Sequence, residues 1–308
     1  MTSGVHVDDE LAELLAAGER AAFHGRPASG VASLQSAFEQ ARADGRGAEA
    51  TAAAWLLGVC LGAAGKFGSA LTVLDPLAAQ EATDIPEQRL FAALAGASSA
   101  SVRRQLGQHA LAKSIDERAL SLADGAPEAT FDAVLGLAAD AVGLDDAVVA
   151  HKHLGQAAEL VAARADWWRQ NVELAWVQAE IALLEGDPDA AAGVLGGAIQ
   201  SAEVSGAPRY VSKSLLFLGV SQVQAGQLDA AEVTLRRAAT LAESLGAVPL
   251  LWPARALLGA LLESRSPTEA AKSLAAARGA VIAIADDLPE DLRSVWLDRP
   301  DVAALLGG

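Results

Sequence analysis

An all-α fold of stacked helix hairpins follows from three features of this chain: evenly spaced helix breaks, alanine-rich stretches between them, and a near absence of strand signals. The breaks fall at Gly25, Gly65, Gly107, Gly143, Gly186, Gly226 and Ser266, in steps of 40, 42, 36, 43, 40 and 40 residues. A unit of this length cannot bury its apolar face alone and must stack on a neighbour, which gives a solenoid. β-branched residues are scattered and nothing alternates polar with apolar for long. Hydrophobic residues make up 52% of the 308-residue chain but aromatics only 4%; the alanine-rich remainder suits helices that pack closely.

Seven hairpins are expected, near 8–43, 47–81, 87–124, 128–163, 167–204, 208–244 and 250–286. Together they form one repeat array over 1–287, followed by a capping segment over 288–308. The first helices run over 8–23, 47–63, 87–105, 128–142, 167–185, 208–225 and 250–263. Their partners run over 27–43, 67–81, 108–124, 145–163, 188–204, 228–244 and 267–286. Local chemistry marks the ends. In unit five, Gly186-Asp187-Pro188 closes one helix, caps the next with a carboxylate and starts it with proline. In unit seven, Ser266-Pro267-Thr268-Glu269 reads as a capping box. Pro86, Pro127, Pro208 and Pro249 mark the longer connections between units, and Pro76, inside a second helix, predicts a kink or an early end.

A net charge of −16 and a pI near 4.7 exclude the clustered cations that nucleic acid or an anionic membrane surface would require. Cys60 is the only cysteine, so neither an internal disulfide nor a cysteine zinc site can form, and its apolar helical setting predicts a buried, inert thiol. Met1 to Glu10 lacks the basic residues and apolar core of an export signal. No apolar run reaches the roughly 18–20 residues that span a bilayer. A cytoplasmic protein is expected.

Aligned on their breaks, the units share a packing code. Leu218-Gly219, Gly226, Ala231, Leu235 and Ala238 of unit six correspond to Ala179, Gly186, Ala191, Leu195 and Ala198 of unit five, and to Leu57-Gly58, Gly65, Ala70, Leu74 and Leu77 of unit two. This pattern resembles the tetratricopeptide repeat, with its leucine-glycine pair in the first helix and its alanine, large apolar, alanine series in the second. The resemblance is strongest in units two, five and six. The period of about 40 in place of 34 is similar to the longer repeat in sensor arms of bacterial transcriptional regulators, although no DNA-binding or nucleotide-binding domain is attached. The resemblance implies a right-handed superhelix with a concave groove, and the tail with Trp296 and Arg299-Pro300 looks like the end cap of such an array.

Familiar catalytic signatures are missing. Gly65-Lys66 lacks the upstream glycine and the following hydroxyl of a phosphate loop, their places being taken by Cys60 and Phe67. His151 and His153, two apart on a helix, point in different directions and cannot share a metal. His24 precedes Gly25 and reads as a C-terminal cap. Asp145-Asp146 and Asp286-Asp287, with Glu290-Asp291, lack an opposing metal motif and read as helix-start carboxylates. No cofactor, metal or catalytic residue is expected.

In the related arrays the first helices line the groove. That register places Trp55, Trp176 and Leu216 at equivalent inner positions, with Val59 and Val220 one turn later. Glu173, Glu180, Lys213 and Trp252 are further candidate contacts, with Arg169 and Arg209 as possible neighbours at helix starts. Trp55 and Trp176 could equally pack the core, and Trp167-Trp168 and Tyr210 share that ambiguity. The groove is expected to be more apolar than charged. The Lys and Asn residues with which peptide-binding relatives clamp a terminal carboxylate are missing, which argues against such a clamp.

The leading functional reading is a noncatalytic adaptor or regulatory protein that docks a protein or peptide in this groove. The second is a sensor for a hydrophobic small molecule or peptide. The third, an all-helical enzyme, has only Glu173, Glu180 and Asp140 as inner-face acids, spread over different units.

Overall fold

In a computed structural model, which describes residues 3–80, 85–123, 125–162, 164 and 166–307, the chain is helical throughout, with no strand among these residues. Seven hairpins pair α1 (Ser3–His24) with α2 (Pro27–Ala43), α3 (Gly47–Ala63) with α4 (Phe67–Ala78), and α5 (Pro86–Gln105) with α6 (His109–Leu122). They continue with α7 (Pro127–Gly143) and α8 (Ala147–Ala162), α9 (Trp168–Leu184) and α10 (Pro188–Val204), and α11 (Pro208–Gln224) and α12 (Leu228–Leu245). The last pairs α13 (Val248–Leu262) with α14 (Pro267–Ala285), and the short α15 (Glu290–Leu297) and α16 (Pro300–Leu306) follow. The expected ends at 81, 124 and 163, and the start of the leader stretch at Met1, lie outside the described residues.

The packing code is visible in the core. Gly58 and Gly219 give way to a buried leucine of their own hairpin: a Cβ at Gly58 would lie 2.4 Å from Leu74, and one at Gly219 2.5 Å from Leu235. The small and large residues that the alignment paired are buried, among them Ala70, Leu74, Ala191, Leu195, Ala231 and Leu235, each with no exposed surface. First helices of successive hairpins also pack on one another, α3 on α5 and α5 on α7 through to α11 on α13. This is the inner wall of a superhelix.

Several punctuation marks differ from expectation. The left-handed residue that closes the first helix is Gly65, Gly107, Gly186 or Gly226 in four units, but in unit four it is Asp145, at φ 58°, and not Gly143. Gly143 lies within α7 because His109 passes over it: an added Cβ would lie 2.1 Å from the ring. With Asp145 as the break, the steps on either side become 38 and 41 residues, closer to the common period. The capping box at Ser266 does not form. Ser266 makes no side-chain cap, and Glu269 turns to Arg236 of α12, a charge-assisted bond stronger than one to a backbone amide. Asp187 does cap α10, accepting from the Ala190 amide at 2.9 Å. Pro76 is followed by the end of α4 at Ala78, the early stop it predicts. Pro86, Pro127 and Pro208 open helices as their first residue, where a missing amide costs nothing. Of the acidic pairs, Asp146 caps α8 through the Val149 amide at 3.0 Å. Asp286-Asp287 ends α14 instead of starting a helix.

The array closes on itself. At one seam the end of α1 rests on units five and six: His24 Nδ1 meets the Ser205 carbonyl at 3.0 Å, and Arg26 Nε donates to the Ser244 carbonyl at 2.7 Å. Both side chains meet C-terminal carbonyls of second helices, groups that have no partner within their own helix. His24 therefore serves α10 and not its own helix. At the other seam the tail reaches units two and three. Trp296, 1% exposed, sits edge-on to Phe67 at 6.3 Å and donates its indole N–H to the Val281 carbonyl. Asp287 accepts from both the amide and the hydroxyl of Ser69, at 3.0 and 2.8 Å, so this carboxylate serves the start of α4. Arg299 donates to the Gln105 carbonyl, 194 residues back along the chain. The 288–307 segment is thus a wedge in the main hydrophobic core, with Leu288, Val302 and Leu305 beside Trp296.

Candidate functional site

Because the two seams draw the array together, its concave face is the wall of a half-open hollow of about 530 Å³. Each first helix contributes a strip one or two turns apart, the spacing that puts side chains on one helical face. Trp55 and Val59 come from α3, Ser98 and Arg104 from α5, and Asp132 from α7. Arg169, Glu173, Trp176 and Glu180 come from α9; Arg209, Tyr210, Lys213 and Phe217 come from α11. Trp252, Trp296 and Arg299 close the far side, with Phe23 of α1 over the near one.

Seven of the nine sequence candidates lie here: Trp55, Val59, Glu173, Trp176, Glu180, Lys213 and Trp252. Leu216 and Val220 do not. In α11 the hollow is faced by Lys213 and Phe217, one turn apart, and Leu216, a 100° step away, packs between the Trp176–Tyr210 core and the core around Leu235 and Leu258. Val220, one turn beyond Leu216, follows it off the hollow.

The exposed wall is more apolar than polar, as expected, but ionic groups interrupt it. Two arginines are held by acids. Arg169 bridges Asp132 at 3.3 Å and Glu173 at 3.1 Å, and Glu173 also accepts from the Tyr210 hydroxyl at 3.0 Å. Burial raises the Asp132 carboxyl to about 6 against the pull of Arg169. Burial likewise pushes the Tyr210 hydroxyl up. Arg104 reaches Asp116 at 2.5 Å and Asp140 at 3.2 Å, both carboxylates without exposed surface, and His109 approaches Asp140 at 4.0 Å. Burial raises the pKa of both acids despite Arg104, while burial and two nearby arginines lower that of His109. One guanidinium shared by two buried carboxylates does not offset the cost of burying both charges.

Arg299 is held by Asp301 at 2.6 Å, but Lys213, Glu180 and Arg209 have no such partners. Lys213 Nζ lies 4.1 Å from the centre of the Trp176 ring and 5.7 Å from that of Phe217, with no carboxylate within ion-pair distance among the described residues. Burial lowers its pKa, opposed by Glu180 and Glu173. Glu180 makes no hydrogen bond among the described residues, and burial raises its pKa against the pull of Lys213. Arg209 lies against the Tyr210 ring at 4.9 Å and makes one long bond, 3.4 Å, to the Ala22 carbonyl, while its Nε is buried without an acceptor.

Tryptophans divide between packing and lining. Trp176 is 5% exposed, stacks on Tyr210 at 5.1 Å and donates to Ser214 at 2.8 Å, so it is a floor more than a contact. Trp55 is half-buried, donates to Ser98 at 3.1 Å and stands between Phe23 and Phe91. Trp167 packs edge-on to Phe131, and Trp168 meets Tyr210 and His24. Cys60 is buried against Gly30, and burial pushes its thiol up to about 12. His151 and His153 turn to separate partners, Glu185 and Gln156.

Sequence reasoning passed over Arg104, Asp132, Phe217 and Arg299. For Asp132 the signal was its place one helix before Arg169. For Arg299 there was none, because only closure brings it to the hollow.

No family model matches the chain, and no curated protein matches it. Solved structures do. A Rap protein complexed with competence and sporulation factor superposes with a TM-score of 0.66 at 12% identity, over 97% of this chain and 86% of that one. Aspartyl phosphate phosphatase F from Bacillus subtilis gives 0.51 at 16% identity, over 100% and 83%. At these identities the likeness is one of fold, and the fold is a tetratricopeptide-type helical array.

Proposed function

We propose that this chain is a noncatalytic binding protein whose central hollow receives a small organic ligand or short peptide, and that the ligand biases how tightly the array closes. The supporting observation is a half-open cavity of about 530 Å³ whose wall holds ionic groups left without protein partners. Ligand sites fall in the range of roughly 300–1,000 Å³ and combine aromatic surface with a few polar groups. A stable interface with a folded protein buries about 1,200–2,000 Å², more than a cavity of about 530 Å³ offers. Of the two noncatalytic readings, the sensor therefore fits better than the open docking groove.

The fold neighbour described in complex with competence and sporulation factor supports binding as the use of this architecture. The other neighbour is named a phosphatase. In this chain Asp132 and Glu173 are tied to Arg169, Asp116 and Asp140 to Arg104, and Glu180 stands without an acid-base partner. That arrangement suits binding better than catalysis.

Mass spectrometry of protein purified from its native host, in native and then denaturing conditions, tests this reading. The expected result is a small mass that leaves on denaturation. A stoichiometric protein partner bound to a chain with no small mass would overturn it.

A further inference from the structure

The charges of the hollow fall into two sets. Arg169, Arg104 and Arg299 each sit on a carboxylate of the protein, at 3.3, 2.5 and 2.6 Å. Arg209 and Lys213, one turn apart on α11, have none within 4 Å among the described residues, although the chain carries a net charge of −16. A protein with so many spare acids that leaves two inward cations unanswered holds them open for an anion. Glu180 is the opposite case. It faces the same space from α9, feels Lys213 as its strongest counter-charge, and forms no ion pair with it within 4 Å.

Resting on the binding reading above, we infer that the ligand is zwitterionic: its carboxylate docks between Arg209 and Lys213, and its ammonium group meets Glu180. The aromatic floor of Trp176 and Phe217 takes the apolar body between the two poles. An unblocked short peptide has this chemistry. Arg209 supplies a planar fork suited to a carboxylate, and Lys213 a point charge.

The test uses the full chain at pH 7 and a pooled library of unblocked tetrapeptides, with the same pool N-acetylated or C-amidated. Tm and tryptophan fluorescence are the readouts. The unblocked pool is expected to raise Tm by several degrees and to alter the tryptophan emission, and either block is expected to abolish both effects. Lys213→Met, which keeps an aliphatic stem on Trp176, is expected to lose the response while the free protein melts at the same temperature or higher, since no ion pair is removed. Glu180→Gln is expected to lose the preference for a free amine only. Equal responses to all three pools would overturn the zwitterion and leave the binding reading intact. No response to any pool, from protein that also carries no native ligand, would overturn both. A free Lys213→Met protein that melts several degrees lower would show that the lysine serves the fold and would overturn its assignment.

Discussion

Gly68 is the sharpest test of the closed array. It stands at the start of α4, and a Cβ there would lie 2.1 Å from the Asp287 carbonyl oxygen and 3.0 Å from its carbon. Those atoms are backbone and cannot rotate away, so Gly68→Ala must push the α14–α15 connection off α4. Overpacking of this kind costs about 1–3 kcal/mol. The displacement also lengthens the two bonds between Ser69 and Asp287, at about 1 kcal/mol each. The gain of alanine over glycine in a helix returns about 1 kcal/mol at most. The net expectation is a loss of about 3 kcal/mol, near 5 °C in Tm for a chain of this length. The matched control is the same chemical change on α10, where Gly193, Gly196 and Gly197 are exposed and an added Cβ meets nothing within 4 Å. Changing all three to alanine is expected to stabilise by about 2–3 kcal/mol. Urea and thermal unfolding measure both, and small-angle scattering of Gly68→Ala should show a larger radius of gyration. If Gly68→Ala is as stable and compact as the parent, the seam is not closed as described.

Further expectations concern single groups. Asp132, raised to about 6 by burial, binds its proton in the folded chain at pH values where the unfolded chain has released it. Its contribution to stability therefore falls as pH rises from about 4 to 6, and Asp132→Asn should flatten that limb of a pH-stability profile; an unchanged limb would contradict the assignment. Cys60, with a thiol pushed to about 12 and no exposed surface, should react with an aromatic disulfide reagent at pH 8 only on unfolding, and rapid labelling of the native chain would show that its helix opens.

How much was written in the residues varies by element. Gly186-Asp187-Pro188 could be read because each mark acts on its nearest backbone, and local chemistry is what a sequence displays. Gly143 misled for the same reason: a glycine looks like a break whether it turns the chain or admits a neighbour, and here it admits His109, more than thirty residues away. Trp55 and Trp176 fell on the hollow because their units follow the repeat closely. Leu216 did not, because a helix turns 100° per residue and the face that α11 presents is set by its packing on α12 and α13. The charge of the hollow was obscured for a further reason. The spacing of Arg169, Glu173 and Glu180 marks a shared helix face, but closure alone makes that face an interior, and closure depends on Trp296 and Arg299 near the far end of the chain.

An open row of hairpins can gain or lose a member at modest cost, since each touches only its neighbours. Here the tail wedges into unit two and α1 leans on units five and six, so the tally of hairpins is fixed by geometry, as the number of staves is fixed in a cask. Excising one unit would leave the ends unable to meet, and folding must bring Arg299 to Gln105 across nearly two-thirds of the chain. Such distant joins slow assembly and couple the whole. The molecule should therefore unfold in one concerted step, where an ordinary solenoid frays from its tips.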